Sequence, residues 1–167
     1  MDIKILIMDV DGTLTDGKIY MGCNGEIFKA FNVKDGYGIH DILIPKGMIP
    51  VIITGRKSEI IENRCRELGI KEIYQGVKDK HGIMKNFLKK RNLECCDVAY
   101  IGDDMNDLLC MENVKKCGGI IGCPKDATTE VIEISDFVST HKGGEGAVRE
   151  FIEWIVSHND GLREITV

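Results

Sequence analysis

No apolar run in this chain approaches the ~20 residues that a membrane-spanning helix needs, and the N-terminus shows no basic region, long apolar segment and small-residue cleavage site of a signal peptide. Cysteine is not scarce, but it lacks order. The seven residues are odd in number, irregularly spaced, and include the adjacent pair Cys95 and Cys96. That is a poor basis for a disulfide framework, so the reading is reduced thiols in a cytoplasm. There is no C-x-x-C pair and no histidine cluster; Cys117 and Cys123 therefore read as buried structural residues, not metal ligands. Basic charge is in deficit too: 22 Lys and Arg against 27 Asp and Glu give a net charge of −5. This excludes a broad nucleic-acid surface.

What is present fits one α/β domain over residues 1–167, with 43% hydrophobic and 29% charged residues. The β-branched run Ile3 to Met8 reads as a buried strand that stops at Asp9-Val10-Asp11-Gly12-Thr13. Further strands are expected at 49–53, 71–74, 98–101, 119–122 and 136–139. Helices are expected from Gly36 toward Pro45, over Ser58 to Leu68, around Ile83 to Leu88, over Asn106 to Glu112 and from Gly146 to Val156. Strands alternating with helices predict a doubly wound, Rossmann-like parallel sheet with helices on both faces. Between the first strand and the first helix, two short runs flank Asn24-Gly25, which predicts a small hairpin with an Asn-Gly turn. A lone hairpin is marginal in water, so a partner subunit is expected to cover it.

Chemistry gathers at the carboxyl ends of the strands, where ligands bind in such sheets. Asp9 and Asp11, two residues apart on extended chain, point to one side; Thr54, Lys80 and the pair Asp103 and Asp104 follow later strands. Acids this close repel unless a counter-charge joins them. Mg²⁺ suits a few carboxylates together with phosphate oxygens. A cation, a lysine and a threonine hydroxyl form a site for a transferring phosphoryl group. Asp9 is assigned as the attacking nucleophile, forming an aspartyl phosphate. Asp11 is assigned as the acid/base that protonates the leaving oxygen and later deprotonates water.

Asp-Val-Asp-Gly-Thr, the lone Thr54, the lone Lys80 and Gly-Asp-Asp-x-x-Asp at 102–107 resemble, in order, the four motifs of the haloacid dehalogenase superfamily. Ile-Thr-Gly-Arg-Lys at 53–57, Tyr-Gln-Gly at 74–76 and the segment from Ser139 to Glu150 narrow the resemblance to its capless sugar-acid phosphatases acting on 3-deoxy-D-manno-octulosonate 8-phosphate. The resemblance implies no cap domain, Mg²⁺ held by Asp9, the backbone carbonyl of Asp11 and Asp103, and Asp104 and Asp107 in support. It implies substrate contacts from Asp11, Asn32, Lys34, Asp35, Gly36, Arg56, Arg64 and Lys80, a role in lipopolysaccharide biosynthesis, and a homotetramer in which a neighbour covers the site. His40 stands where the family more often has Lys or Arg, and Pro45 is a second departure. Arginine suits bidentate binding of the carboxylate of a sugar acid. The related phosphatases of nonulosonic acid 9-phosphates tend to carry an acid where Arg56 stands, which favours the eight-carbon substrate; the nine-carbon acid or another phosphosugar stays open. A receiver module would share the acids, Thr, Lys and Mg²⁺, but its phosphate-accepting aspartate lies on a separate, later strand, and here the second acidic cluster follows Thr and Lys instead of preceding them. An idle domain kept for assembly would have no need of Asp11.

Overall fold

A computed structural model describes residues 2–163. Six strands form one parallel sheet: β1 (Ile5–Met8), β4 (Ile49–Ile53), β5 (Glu72–Tyr74), β6 (Val98–Ile101), β7 (Ile120–Cys123) and β8 (Phe137–Val138), in the spatial order β5-β4-β1-β6-β7-β8. The first connection from β1 carries a separate antiparallel hairpin, β2 (Tyr20–Gly22) and β3 (Gly25–Phe28). Among the described residues there is no inserted cap domain.

β1 lies at the centre, paired with β4 on one side and β6 on the other. All four of its side chains are buried. Successive strand residues point to opposite faces, and the core divides accordingly. Leu6, Met8, Ile52 and Ile101 meet Ile39 and Leu43, from the turns that continue α1 (Val33–Tyr37), and the helices α2 (Glu59–Glu67) and α6 (Ala147–Arg163) on one side. Ile5, Ile7, Val51 and Tyr100 meet α3 (Lys80–Arg91), α4 (Met105–Lys116) and α5 (Thr129–Ile134) on the other. Each fully buried aliphatic side chain in these layers stabilises the fold by about 1.5–3 kcal/mol. Phe151 and Trp154 of α6 pack with Phe137 at centroid distances of 5.4 and 5.3 Å.

Cys123 is buried as expected but Cys117, at the end of α4, is exposed, and three details of the elements differ from the sequence expectation. The hairpin pairs Gly22 with Gly25, so its turn is centred on Cys23-Asn24 and not on Asn24-Gly25; Gly25 closes it at φ 114°, a conformation L side chains resist. The helix begun by α1 widens into a π-helical turn over Gly38–Leu43 and ends in a 3₁₀ turn at Ile44–Lys46. Pro45 supplies no N–H to continue α-helical bonding, and Gly47 at φ 79° closes the segment. Finally, α5 is absent from the sequence reading because Thr-Glu-Val-Ile-Glu-Ile, short and rich in β-branched residues, carries no helical signal.

Candidate active site

Because all six strands run parallel, the segments leaving β1, β4 and β6 emerge on the same edge of the sheet. Asp9 follows β1 directly, its N–H bonded to the Ile101 carbonyl of β6 at 3.1 Å. Thr54 follows β4 and is held by its backbone between the Tyr74 carbonyl and the Val77 N–H. Asp103 follows β6. These residues, with Asp11, Gly17, Arg56, Asp104 and Asn106, line a cleft of about 270 Å³.

Lys80 reaches this point from another direction. It is the first residue of α3, a helix started by Asp79, whose carboxylate accepts the Gly82 N–H at 2.8 Å. An aspartate at the cap satisfies a free helical N–H and favours the positive end of the dipole. The lysine is thereby aimed inward, 4% exposed, with its Nζ 2.6 Å from Asp9 Oδ1 and 2.8 Å from Asp107 Oδ1. Asp107 comes from the first turn of α4, whose N-cap is Asp104. The Tyr100 hydroxyl donates to the same Asp107 oxygen at 2.6 Å.

Carboxylate oxygens of Asp9, Asp103 and Asp107 lie within 4.8 Å of one another. Their electrostatics follow from this crowding. Burial and the neighbouring Asp107 charge push the Asp9 carboxyl well up, against the pull of Lys80. The same two causes raise Asp103 to about 7, although Thr13 donates a hydrogen bond to it at 3.1 Å. Burial alone would lower Lys80, but Asp9 and Asp107 outweigh it and hold the amine charged. Three acids against one ammonium leave an excess of negative charge, and Asp107 Oδ2 has no hydrogen-bond partner among the described residues. All-oxygen donors with surplus negative charge fit a hard divalent cation.

The backbone of the first loop makes this approach possible. Gly12 sits at φ 94°, and a Cβ there would run into the Asp103 carboxylate. Gly12→Ala is expected to cost well over ~1 kcal/mol, since it adds both strain and collision, and to weaken cation binding by displacing Asp103. Thermal melting with and without added Mg²⁺ checks this; an unchanged midpoint and an unchanged Mg²⁺ response would refute it. The glycine-rich segment before α6 packs against the same loop, with the Gly144 N–H bonded to the Thr13 carbonyl at 3.1 Å.

Of the residues expected to touch substrate, Arg56 lines the cleft, half-exposed, its Nε 3.9 Å from Asp11 Oδ2. Asn32, Lys34, Asp35, Gly36 and Arg64 do not line it. Asn32 caps α1 by accepting the Lys34 N–H at 2.8 Å and donates to the Gly144 carbonyl at 3.2 Å. Asp35 is 1% exposed and accepts the Arg149 N–H at 2.9 Å, tying α1 to α6. Arg64 packs over the Phe31 ring, pairs with Glu67 at 2.7 Å and lies against Gly36, where a Cβ would meet its guanidinium. His40 is paired with Asp41 at 3.3 Å, outside the cleft.

The sequence reading did not single out Tyr100, Lys29 or Glu26, and kept Asp107 as support only. Asp107 carried a signal: it closes the Gly-Asp-Asp-x-x-Asp motif, in the first turn of α4. Tyr100 and Lys29 carried none, being an inward strand residue and a hairpin lysine. A larger cleft of about 530 Å³ lies at the amino-terminal side of β7, among Gly118, Ile120, Trp154 and His158. It is apolar and gathers no comparable set of acids.

No family model matches the chain. A curated relative from Escherichia coli K12, 3-deoxy-D-manno-octulosonate 8-phosphate phosphatase, is 44% identical over 163 residues, covering 98% of this chain and 84% of the relative. The crystal structure of the Yersinia pestis phosphatase of the same name superposes with a TM-score of 0.88 at 42% identity, covering 96% of this chain and 84% of that one. The Moraxella catarrhalis phosphatase, solved in complex with magnesium, phosphate and the sugar acid, gives a TM-score of 0.86 at 38% identity, with coverage of 99% and 94%. With this fold, this cluster of acids around a buried lysine, and relatives matched over nearly its whole length, the chain belongs to the 3-deoxy-D-manno-octulosonate 8-phosphate phosphatase family of the haloacid dehalogenase superfamily.

Proposed function

We propose that this chain hydrolyses 3-deoxy-D-manno-octulosonate 8-phosphate to the free sugar acid and phosphate, through a phosphoryl group carried on Asp9. The observation that carries this reading is the Lys80 amine set between Asp9 and Asp107 beside Asp103, at the edge of the sheet where β1 and β6 end. Asp9 offers the oxygen that attacks phosphorus. Lys80 holds that carboxylate and would reach the equatorial phosphoryl oxygens, and Thr54 lines the same cleft. Asp11 donates a proton to the departing sugar oxygen and then takes one from the water that frees Asp9. Asp9, Asp103 and the Asp11 carbonyl would hold Mg²⁺, with Asp107 supporting them. When bound, the ion offsets negative charge on the acids and the phosphoryl group.

Arg56 at the rim of the cleft suits the carboxylate of the sugar acid. Lys34 and Arg64 lie outside the cleft of their own chain, so their contact with substrate would be made in a neighbouring subunit's site. A homotetramer assembled through the hairpin would provide that arrangement: Met21, Ile27 and Phe28 are 59%, 61% and 48% exposed, and Val33 and Tyr37 are exposed as well. Patches of this kind mark association surfaces. The seven cysteines are all free, and no helix of the described residues is long and apolar enough to cross a membrane; both are compatible with a cytoplasmic enzyme.

The test is Mg²⁺-dependent phosphate release across a panel of phosphosugars that includes eight- and nine-carbon keto acids. The eight-carbon acid is expected to give the highest kcat/KM. No turnover on any member would sink the phosphatase reading, and preference for a neutral hexose phosphate would sink the sugar-acid part. Preference for the nine-carbon acid would move the assignment to that substrate.

A further inference from the structure

We infer that Lys29, delivered by the hairpin, is a positioning residue for Asp11, fixing which of its oxygens faces the leaving group. This rests on the acid/base reading of Asp11 given above. A lysine just past the end of a surface hairpin strand normally keeps its amine in water. Here the side chain is 1% exposed. Burying an ammonium is costly unless it is paired and hydrogen-bonded, and the amine has two partners: it donates to Asp11 Oδ1 and lies 2.9 Å from Glu26 Oε1.

The bond from Lys29 is the one hydrogen bond that the Asp11 carboxylate makes among the described residues. Asp11 Oδ2 has none, and Arg56 Nε stands 3.9 Å from it at the cleft. The loop that carries Asp11 spends its own bonds elsewhere, with the Gly12 N–H directed to Thr15 Oγ1 at 3.3 Å and Thr13 Oγ1 to Asp103. Nothing within the first motif therefore sets the rotation of the acid/base. Lys29 sets it from outside, occupying Oδ1 and leaving Oδ2 to carry the proton toward the substrate. Glu26 completes the arrangement. It sits between Lys29 and Arg56, 3.6 Å from Arg56 Nη2, so the groups that orient Asp11 and face the sugar acid share one carboxylate. Ile27 and Phe28 of the hairpin are exposed, whereas the next residue, Lys29, turns a buried cation inward.

A mere staple would also bury Lys29, and the two roles separate by leaving group. Sugar alkoxide needs a proton to depart; a nitrophenolate leaves without one. Single-turnover release of the leaving group, measured on the full-length Mg²⁺-loaded protein, isolates that step. Lys29→Met is expected to slow release from 3-deoxy-D-manno-octulosonate 8-phosphate by about 30-fold or more, within the range that general acid catalysis supplies. Release from p-nitrophenyl phosphate should slow by less than about 3-fold, with KM for both little changed, and Lys29→Arg should restore most of the rate. Equal loss on both esters, or loss on neither, overturns the inference. Should Lys29→Met fail to give a cooperative melt, Glu26→Gln is read in its place. It keeps the amine and removes its second anchor, so the same selectivity with a smaller loss is expected, and an unselective effect overturns the inference. Asp11→Asn in the same assay keeps the premise separate. If that variant retains sugar-phosphate release, the acid/base reading fails; if it loses release and Lys29→Met does not, only the inference fails.

Discussion

Asp9→Asn is expected to abolish phosphate release, lowering kcat by about 10⁴-fold or more, the scale on which removing a nucleophile acts. The amide nearly preserves the volume of the carboxylate but has no anionic oxygen to attack phosphorus. The fold should not suffer. In the wild-type protein the buried Asp9 lies among Asp103, Asp107 and Lys80, and its carboxyl is pushed up by burial and by the Asp107 charge. Replacing it with a neutral group removes one member of a repelling set, so the melting point of the metal-free variant should equal or exceed that of the parent. Its gain on adding Mg²⁺ should shrink, because one oxygen donor has lost its charge. Phosphate release and melting, read on the same preparations, separate the two effects. A variant that keeps more than about 1% of the parent rate would show that another group attacks phosphorus.

How much of this could be read in advance differs between the sheet edge and its surroundings. Asp9, Thr54 and Asp103 were legible because each follows a short apolar strand, and parallel strands bring their ends together whatever the intervening helices do; Lys80, at the head of α3, was legible by its place in the ordered set of motifs. The structure gathers these four into one place. The strands were legible as runs of β-branched residues, and α2 as an amphipathic segment with Ser58 before it and Gly69 after it; the helix observed is Glu59–Glu67, capped by Ser58. Lys29 and Glu26 were not legible, since their burial comes from how the hairpin docks onto the β1 loop. That is a tertiary fact, and local pattern does not encode it. Tyr100 reads as a core residue by alternation; only the position of Asp107 on the next helix turns its hydroxyl into part of the lysine's surroundings. Asn32 and Asp35 entered as substrate contacts only through the family resemblance; within one chain they cap the start of α1 and bond the backbone of α6.

The second large effect concerns Lys80, the cation between Asp9 and Asp107. Lys80→Met leaves two buried acids without their partner, and breaking a buried pair from one side costs about 3–5 kcal/mol. The cost depends on pH in a direction that can be worked out. Asp103 titrates at about 7 in the folded protein against a usual 3.8, and Asp9 is raised as well. The folded state therefore holds more protons than the unfolded state between those values, and metal-free stability falls as pH rises across that interval. Without Lys80 the acids hold protons more tightly still. The destabilisation should be smaller at pH 6, where Asp103 and Asp9 are largely neutral, and larger at pH 8, where more of their charge has formed. Mg²⁺ displaces those protons, so its stabilising effect should grow from pH 6 to pH 8 in the parent and grow more steeply in the variant. Turnover should fall by about 10²–10³-fold even with Mg²⁺ present, because the charge offered to the phosphoryl oxygens is gone. Melting curves at the two pH values, with and without Mg²⁺, check the electrostatic part. Equal destabilisation at pH 6 and pH 8 would mean that Lys80 stabilises the site by packing its aliphatic stem, and that charge crowding does not govern the three acids.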